Sequence, residues 1–214
     1  MTAEEIRKRL LDLEDRAQAK IFQSFFKTGP GDYGEGDLFL GIRVAQLRKL
    51  SKEWGDMDLG EVEALLRSSF HEQRFLALLI LVRKYERGSE PEKKKVYLLY
   101  LRSTSCINNW DLVDLSAPNI VGDFLMNRDR KTLYRLAHSP VLWERRIAIV
   151  ASFQFIKSHR FDDTLAISKI LLSDQEDLIQ KAVGWMLREV GKRDPASEEA
   201  DRKSTRLNSQ SPYV

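Results

Sequence analysis

Apolar side chains recur every three or four residues along most of this chain, and the helical segments they mark return at a nearly constant interval. Three segments align around a basic residue: Gln73-Arg74-Phe75-Leu76, Arg145-Arg146-Ile147-Ala148 and Gln180-Lys181-Ala182-Val183. Arg74 and Arg146 are 72 residues apart, and Arg146 and Lys181 are 35 apart. Half of the longer interval leads from Arg74 to Trp110, inside a further helical segment that starts near Asn108. No stretch alternates polar and apolar residues well enough to make a strand.

A period near 35 residues belongs to solenoids of stacked helix pairs, in which each pair buries its apolar face on its neighbours. The expected fold is therefore all-α: a HEAT-like helical-repeat solenoid, an α-α superhelix, with the second helices lining a concave groove. Breaks at Ser68-Ser69, Gly88-Ser89, Ser103 to Ser105, Asn127, Ser139-Pro140, Ser158-His159 and Ser173-Asp174 separate the helices. At the N-terminus, Thr2 and Glu5 form a capping-box pattern. One long amphipathic helix is expected to follow through Ile6, Leu10, Leu13, Ala17, Ile21 and Phe25, ending before Thr28-Gly29-Pro30-Gly31.

At 214 residues, 43% hydrophobic and 31% charged, the chain can bury a proper core. Its longest apolar run, Phe75 to Val82, is far short of the roughly 20 residues needed to cross a bilayer, and nothing at the N-terminus reads as a secretory signal. The single cysteine, Cys106, excludes an internal disulfide framework and fits a reducing cytosol, so a cytoplasmic protein is expected. Residues 195–214 are expected to form a tail outside a single repeat domain of residues 1–194. The segment Arg202-Lys203-Ser204-Thr205-Arg206-Leu207-Asn208-Ser209 reads as a scar rather than part of the fold.

Net charge is only +3, but it is unevenly distributed. Arg43, Arg48, Lys49 and Lys52 form one basic cluster, Lys93 to Lys95 a second, and Arg128, Arg130, Lys131 and Arg135 a third. Local potential, not total charge, holds a polyanion, so these clusters suit phosphates; they equally suit solvated helix faces. The glycines from Gly29 to Gly36 are not followed by Gly-Lys-Ser/Thr, which argues against a nucleotide P-loop.

Trp110 and Asp114 stand one helical turn apart and can face one ligand. The repeat phase places Arg74, Arg146, Lys181 and Trp185 along the same groove, whereas Trp54 and Trp143 fall out of phase and read as packing residues. Indole faces and a carboxylate attract a cation, and flanking Arg and Lys attract phosphates. The same residues also admit a plainer account, with Trp110 in the core and Asp114 in solvent or bonded to an arginine. His71, His138 and His159 are too scattered to make a metal site, so no metal and no organic cofactor are expected.

Four segments resemble the HEAT-like DNA alkylation repair glycosylase family: Phe39-Leu40-Gly41-Ile42, Trp110-Asp111-Leu112-Val113-Asp114, Trp143-Glu144-Arg145-Arg146-Ile147-Ala148-Ile149 and Ile179-Gln180-Lys181-Ala182-Val183-Gly184-Trp185-Met186-Leu187-Arg188-Glu189. The resemblance covers about residues 1 to 194 and implies a C-shaped, DNA-binding solenoid. It implies excision of purines alkylated at N3 or N7, such as 3-methyladenine and 7-methylguanine, from duplex DNA in base excision repair, with the lesion left in the duplex. It also implies a monofunctional N-glycosyl hydrolase in which Asp114, Trp110 and Trp185 are catalytic. Arg146, Lys181, Arg74, Arg43 and Arg48 are then the expected DNA contacts, on a monomer. Two other readings of the chain stay open: a non-catalytic DNA-binding member of this fold, and a HEAT scaffold that binds protein.

Overall fold

The computed structural model describes residues 1–194. Their secondary structure is helical apart from one isolated parallel bridge between Leu38 and Phe70. The chain divides into two compact units, Met1–Phe124 and the part from Leu125 onward. No helix among the described residues is long and apolar enough to cross a membrane. The expected tail lies outside the described residues.

The first unit contains α1 (Ala3–Leu11), α2 (Arg16–Phe25), α3 (Val44–Glu53), α4 (Leu59–Leu66), α5 (His71–Arg87), α6 (Glu90–Arg102) and α7 (Trp110–Ala117), the last continued by a π-helical turn at Pro118–Gly122. Helix α5 is its centre. It is buried continuously from His71 to Val82, because α3, α4, α6 and α7 pack around it. A helix apolar on most of its circumference is stable only with neighbours on every side. In the second unit α8 (Lys131–Ala137), α9 (Leu142–Ala151), α10 (Phe153–Lys157), α11 (Asp162–Leu171) and α12 (Asp177–Gly191) follow, with α9 packed on α8, α11 and α12.

The expected long first helix is in fact two. The Thr2–Glu5 capping box is present, but α1 stops at Leu11 and α2 starts only at Arg16. Asp15 causes the restart: its Oδ1 accepts from the backbone N–H groups of Ala17 and Gln18, at 3.1 and 3.0 Å, satisfying donors that a helix start leaves orphaned. Its own N–H donates to the Leu40 carbonyl at 2.8 Å, which turns the chain. The apolar periodicity ran through this break because Leu13 keeps the spacing while facing solvent.

The repeat is real, but its register differs by one residue from that read in the sequence. Phe70, Val141 and Glu176 are the residues before α5, α9 and α12, and their backbones nearly coincide, with φ, ψ of −84°, 126°, −83°, 119° and −83°, 118°. Two residues earlier, Ser68, Ser139 and Asp174 each accept from these three backbone N–H groups, at 3.0, 3.1 and 3.0 Å. Four residues later, Arg74, Arg145 and Gln180 reach back to the carbonyls of Ser68, Ser139 and Asp174, at 2.9, 3.0 and 2.7 Å. Arg74 therefore belongs with Arg145 and Gln180, each latching the entry of its own helix. Arg146 and Lys181 correspond instead to Phe75. Two adjacent basic residues at 145 and 146 made the sequence alignment ambiguous, and only the latch geometry resolves it.

Candidate functional site

Trp110 opens α7, whose start is fixed by Asn109: its Oδ1 accepts from the Trp110 N–H at 2.8 Å. The eight residues of α7 then place Asp114 one turn further along the face that carries the indole. Both side chains line a cleft of about 630 Å³ within the first unit, together with Ile21, Phe25, Phe26, Phe39 and Arg48. The walls are mostly apolar. Ile21 and Phe25 stand 60% and 61% exposed, so the cleft opens beside uncovered hydrophobic side chains.

The indole of Trp110 is half-buried against Phe26, stacked at 5.4 Å between centroids, and meets Phe25 edge-on at 6.0 Å. Phe26 in turn stacks on Phe39 at 5.1 Å. Such contacts restrict the rotation of Trp110 and leave part of it facing the cleft. The open readings of Trp110 thus converge, since it is both a packing residue and a cleft wall.

The floor of this aromatic stack is ionic. His71 is buried, with Nε2 2.8 Å from Asp111 Oδ2 and Nδ1 3.3 Å from Asp37 Oδ2. Burial pushes its imidazole down, but the Asp111 charge and the hydrogen bonds to Asp111 and Asp37 outweigh burial and raise it to about 9. Asp37 also accepts from Arg74 Nη2 at 2.7 Å, and from the side-chain amides of Asn108 and Asn109 at 3.1 and 3.4 Å. Burial would push the Asp37 carboxyl up, yet the His71 hydrogen bond and the Arg74 charge hold it below its ordinary range.

A second buried carboxylate shapes the cleft wall. Glu72 accepts from the backbone N–H groups of Leu40, Gly41 and Ile42 at 2.9, 2.8 and 3.3 Å. Gly41 has φ +81°, and a Cβ there would lie 2.1 Å from the Asp15 carbonyl oxygen, so this position requires glycine. The Phe-Leu-Gly-Ile segment is therefore a loop clamped by Glu72, with Phe39 in the aromatic stack.

The expected DNA-contacting cations separate into two groups. Arg43 and Arg48 are exposed, and their guanidinium groups make no ion pair or hydrogen bond among the described residues. Lys181 is exposed and pairs with Asp177 at 2.6 Å, an arrangement that exchanges partners at little cost. Arg74 corrects the expectation: it is 3% exposed and committed to Asp37 and Ser68, so it faces inward. Arg146 is 5% exposed and donates to the Leu178 carbonyl at 2.5 Å, tying α9 to α12 instead of standing out as a surface cation. Arg130, from the third basic cluster, is likewise tied down by Asp163 and the Met126 carbonyl. Trp54 and Trp143 are buried, as their phase predicted.

Trp185 and Arg146 belong to the second unit. Trp185 is half-buried on α12 with its ring 5.7 Å from Phe153. Lys157 Nζ and the Arg193 guanidinium lie 4.8 and 6.0 Å from the Phe153 ring centroid, giving this aromatic pair a cationic margin. Neither Lys157 nor Arg193 was singled out in the sequence. In the sequence His71 is one of three scattered histidines with no mark of a site. A signal existed in the polar residues Asp37, Asn108 and Asn109 flanking apolar runs, but the two asparagines converge on Asp37, the partner of His71, across as many as 72 residues of chain.

Packed helices without strands among the described residues define a helical-repeat protein, here with an aromatic, acid-bearing cleft in its first unit. Residues 6–200 match the family model described as DNA alkylation repair enzyme, and the chain belongs to that family. The matched span runs past Asp194, where the resemblance of the sequence motifs ended. Among solved structures the fold is similar to a predicted DNA alkylation repair enzyme from Enterococcus faecalis, with 21% identity, a TM-score of 0.66 and 89% of each chain covered. No curated protein matches the chain.

Proposed function

We propose that this protein is a monofunctional DNA glycosylase that hydrolyses the N-glycosidic bond of cationic N3- or N7-alkylated purines in duplex DNA. The observation that carries this reading is the pairing of Trp110 and Asp114 on one face of α7, at an apolar cleft whose other carboxylates, Asp111 and Glu72, are held by His71 and by three backbone N–H groups.

The chemistry suits so sparse a site. An alkylated purine is already positively charged, so it departs with the bonding electron pair as a neutral base and requires no general acid. Ordinary glycoside cleavage uses a second carboxyl to protonate its leaving group. Here the developing charge is on the sugar, and the Asp114 carboxylate stabilises that oxocarbenium-like centre and orients the water that adds to C1′. Trp110 offers an aromatic face to the cationic nucleotide at this cleft. Because no acid must reach the base, the lesion can stay stacked in the duplex. Arg43, Arg48 and Lys181 supply exposed charge for phosphates.

Incubation of the folded protein with duplexes carrying 7-methylguanine, 3-methyladenine or a neutral lesion such as uracil tests this directly. Release of the two cationic bases but not uracil, with abasic sites left uncut, is the expected result. A folded protein that binds the duplexes and releases no base would instead be a DNA-binding member of the family.

A further inference from the structure

Both ring nitrogens of His71 face carboxylates, Nε2 at Asp111 and Nδ1 at Asp37. An ionised carboxylate only accepts hydrogen bonds, so satisfying both contacts requires a proton on each nitrogen. The ring lies against aromatic faces that favour such a cation, with Phe39 at 4.7 Å and Phe26 at 4.9 Å between centroids.

The charged groups around it come from every side. Asp37 approaches from the loop before α3, Asp111 from α7, Glu72 and Arg74 from α5 itself, and Arg48 and Asp114 from the same cleft lining. Glu72 is occupied by three backbone N–H groups and Arg74 by Asp37. Asp37 and Asp111 are thus balanced by Arg74 and His71. Asp111 is the link that matters for the site, because it sits directly after Trp110 and three residues before Asp114 in a helix of only eight residues.

We propose that His71 is a positioning residue of the cleft: as an imidazolium bridging Asp37 and Asp111 it fixes the first turn of α7, and with it Trp110 and Asp114, and it pairs the Asp111 carboxylate at the wall of the cleft a cationic substrate enters. The consequence for catalysis rests on the glycosylase reading; the positioning itself rests on the geometry alone. A released Asp111 would place a second carboxylate beside Trp110. That carboxylate would attract the cationic base in the ground state without stabilising charge on the sugar, which aids binding and not rate. The raised proton affinity of His71 agrees with this role.

The test uses the full chain as wild type, His71→Gln and Asp111→Asn. Imidazole resonances are followed by NMR against pH, with the indole N–H of Trp110 assigned through Trp110→Phe, alongside single-turnover release of 7-methylguanine. The expected result is a His71 midpoint near 9, a Trp110 indole signal that moves with the same midpoint, and a wild-type rate that falls on the same alkaline limb. Folded His71→Gln should release base about 10- to 100-fold more slowly, lose the alkaline limb, and bind alkylated duplex no more weakly than wild type. Asp111→Asn breaks the same bridge without leaving a second carboxylate; it should also slow release and lower the His71 midpoint, and it serves if His71→Gln does not fold. A His71 midpoint at the ordinary 6.5, a Trp110 signal indifferent to it, or a wild-type rate in either folded variant would overturn the proposal. If wild type releases no base, the glycosylase reading fails, and the two NMR readouts still decide the positioning.

Discussion

Phe26 lies face to face with the indole of Trp110, centroids 5.4 Å apart and planes inclined by 24°. The ring that walls the cleft is therefore supported from behind by one that belongs to the core, where Phe26 also contacts Ala19 and Phe39. Truncation to Phe26→Ala should cost roughly 3–5 kcal/mol of stability, as for other buried aromatic residues. The milder Phe26→Leu should keep the fold while loosening Trp110. Its Trp fluorescence should become more quenchable by acrylamide, and its rate of base release should fall with little change in DNA affinity.

The loop that carries Phe39 depends on one backbone conformation and one carboxylate. Gly41→Ala should destabilise the protein by roughly 2–4 kcal/mol, because its Cβ meets the Asp15 carbonyl at a position already in the left-handed region. Glu72→Gln removes half of the acceptor set for three backbone N–H groups and should cost about 1–3 kcal/mol. Urea unfolding of both variants measures these losses.

Stability should vary with pH through His71. Its folded value of about 9 stands above the ordinary 6.5, so the contribution is complete below pH 6.5 and disappears as pH rises to 9. The size is on the order of 3 kcal/mol. The melting temperature of wild type should therefore drop across this window, whereas that of His71→Gln should change far less. Equal slopes for the two proteins would contradict the imidazolium.

Arg48 and Arg74 should separate cleanly in DNA binding. Arg48→Gln removes an exposed cation at the cleft and should weaken affinity while reducing the salt slope by about 0.9. Arg74→Gln should leave the slope unchanged and lower thermal stability instead, because the guanidinium is buried on Asp37. Affinity measured at several salt concentrations distinguishes them.

Local signals carried much of this in the sequence. The Thr2–Glu5 cap, the helical periodicity and the shared face of Trp110 and Asp114 all depend on residues within one or two turns of each other, and the packing roles of Trp54 and Trp143 on the repeat phase. What was hidden depends on residues far apart. The inward turn of Arg74 follows from Asp37, and the charge of His71 follows from Asp37 and Asp111, none of them neighbours in sequence. The break at Asp15 was concealed for the opposite reason, since an exposed Leu13 imitates the spacing of a buried one. The one-residue shift of the repeat shows the limit of matching residue types: Arg145 and Arg146 are alike in sequence, but one latches the entry of α9 and the other donates to α12.

The most direct test of the account is single-turnover release of 7-methylguanine from an alkylated duplex by wild type and by Asp114→Asn, with DNA affinity measured for both. Wild type should release the base, and the variant should lose about 100- to 1,000-fold in rate at nearly unchanged affinity, the signature of a group that acts on the transition state. Equal rates in the two folded proteins would contradict it and remove Asp114 from the chemistry.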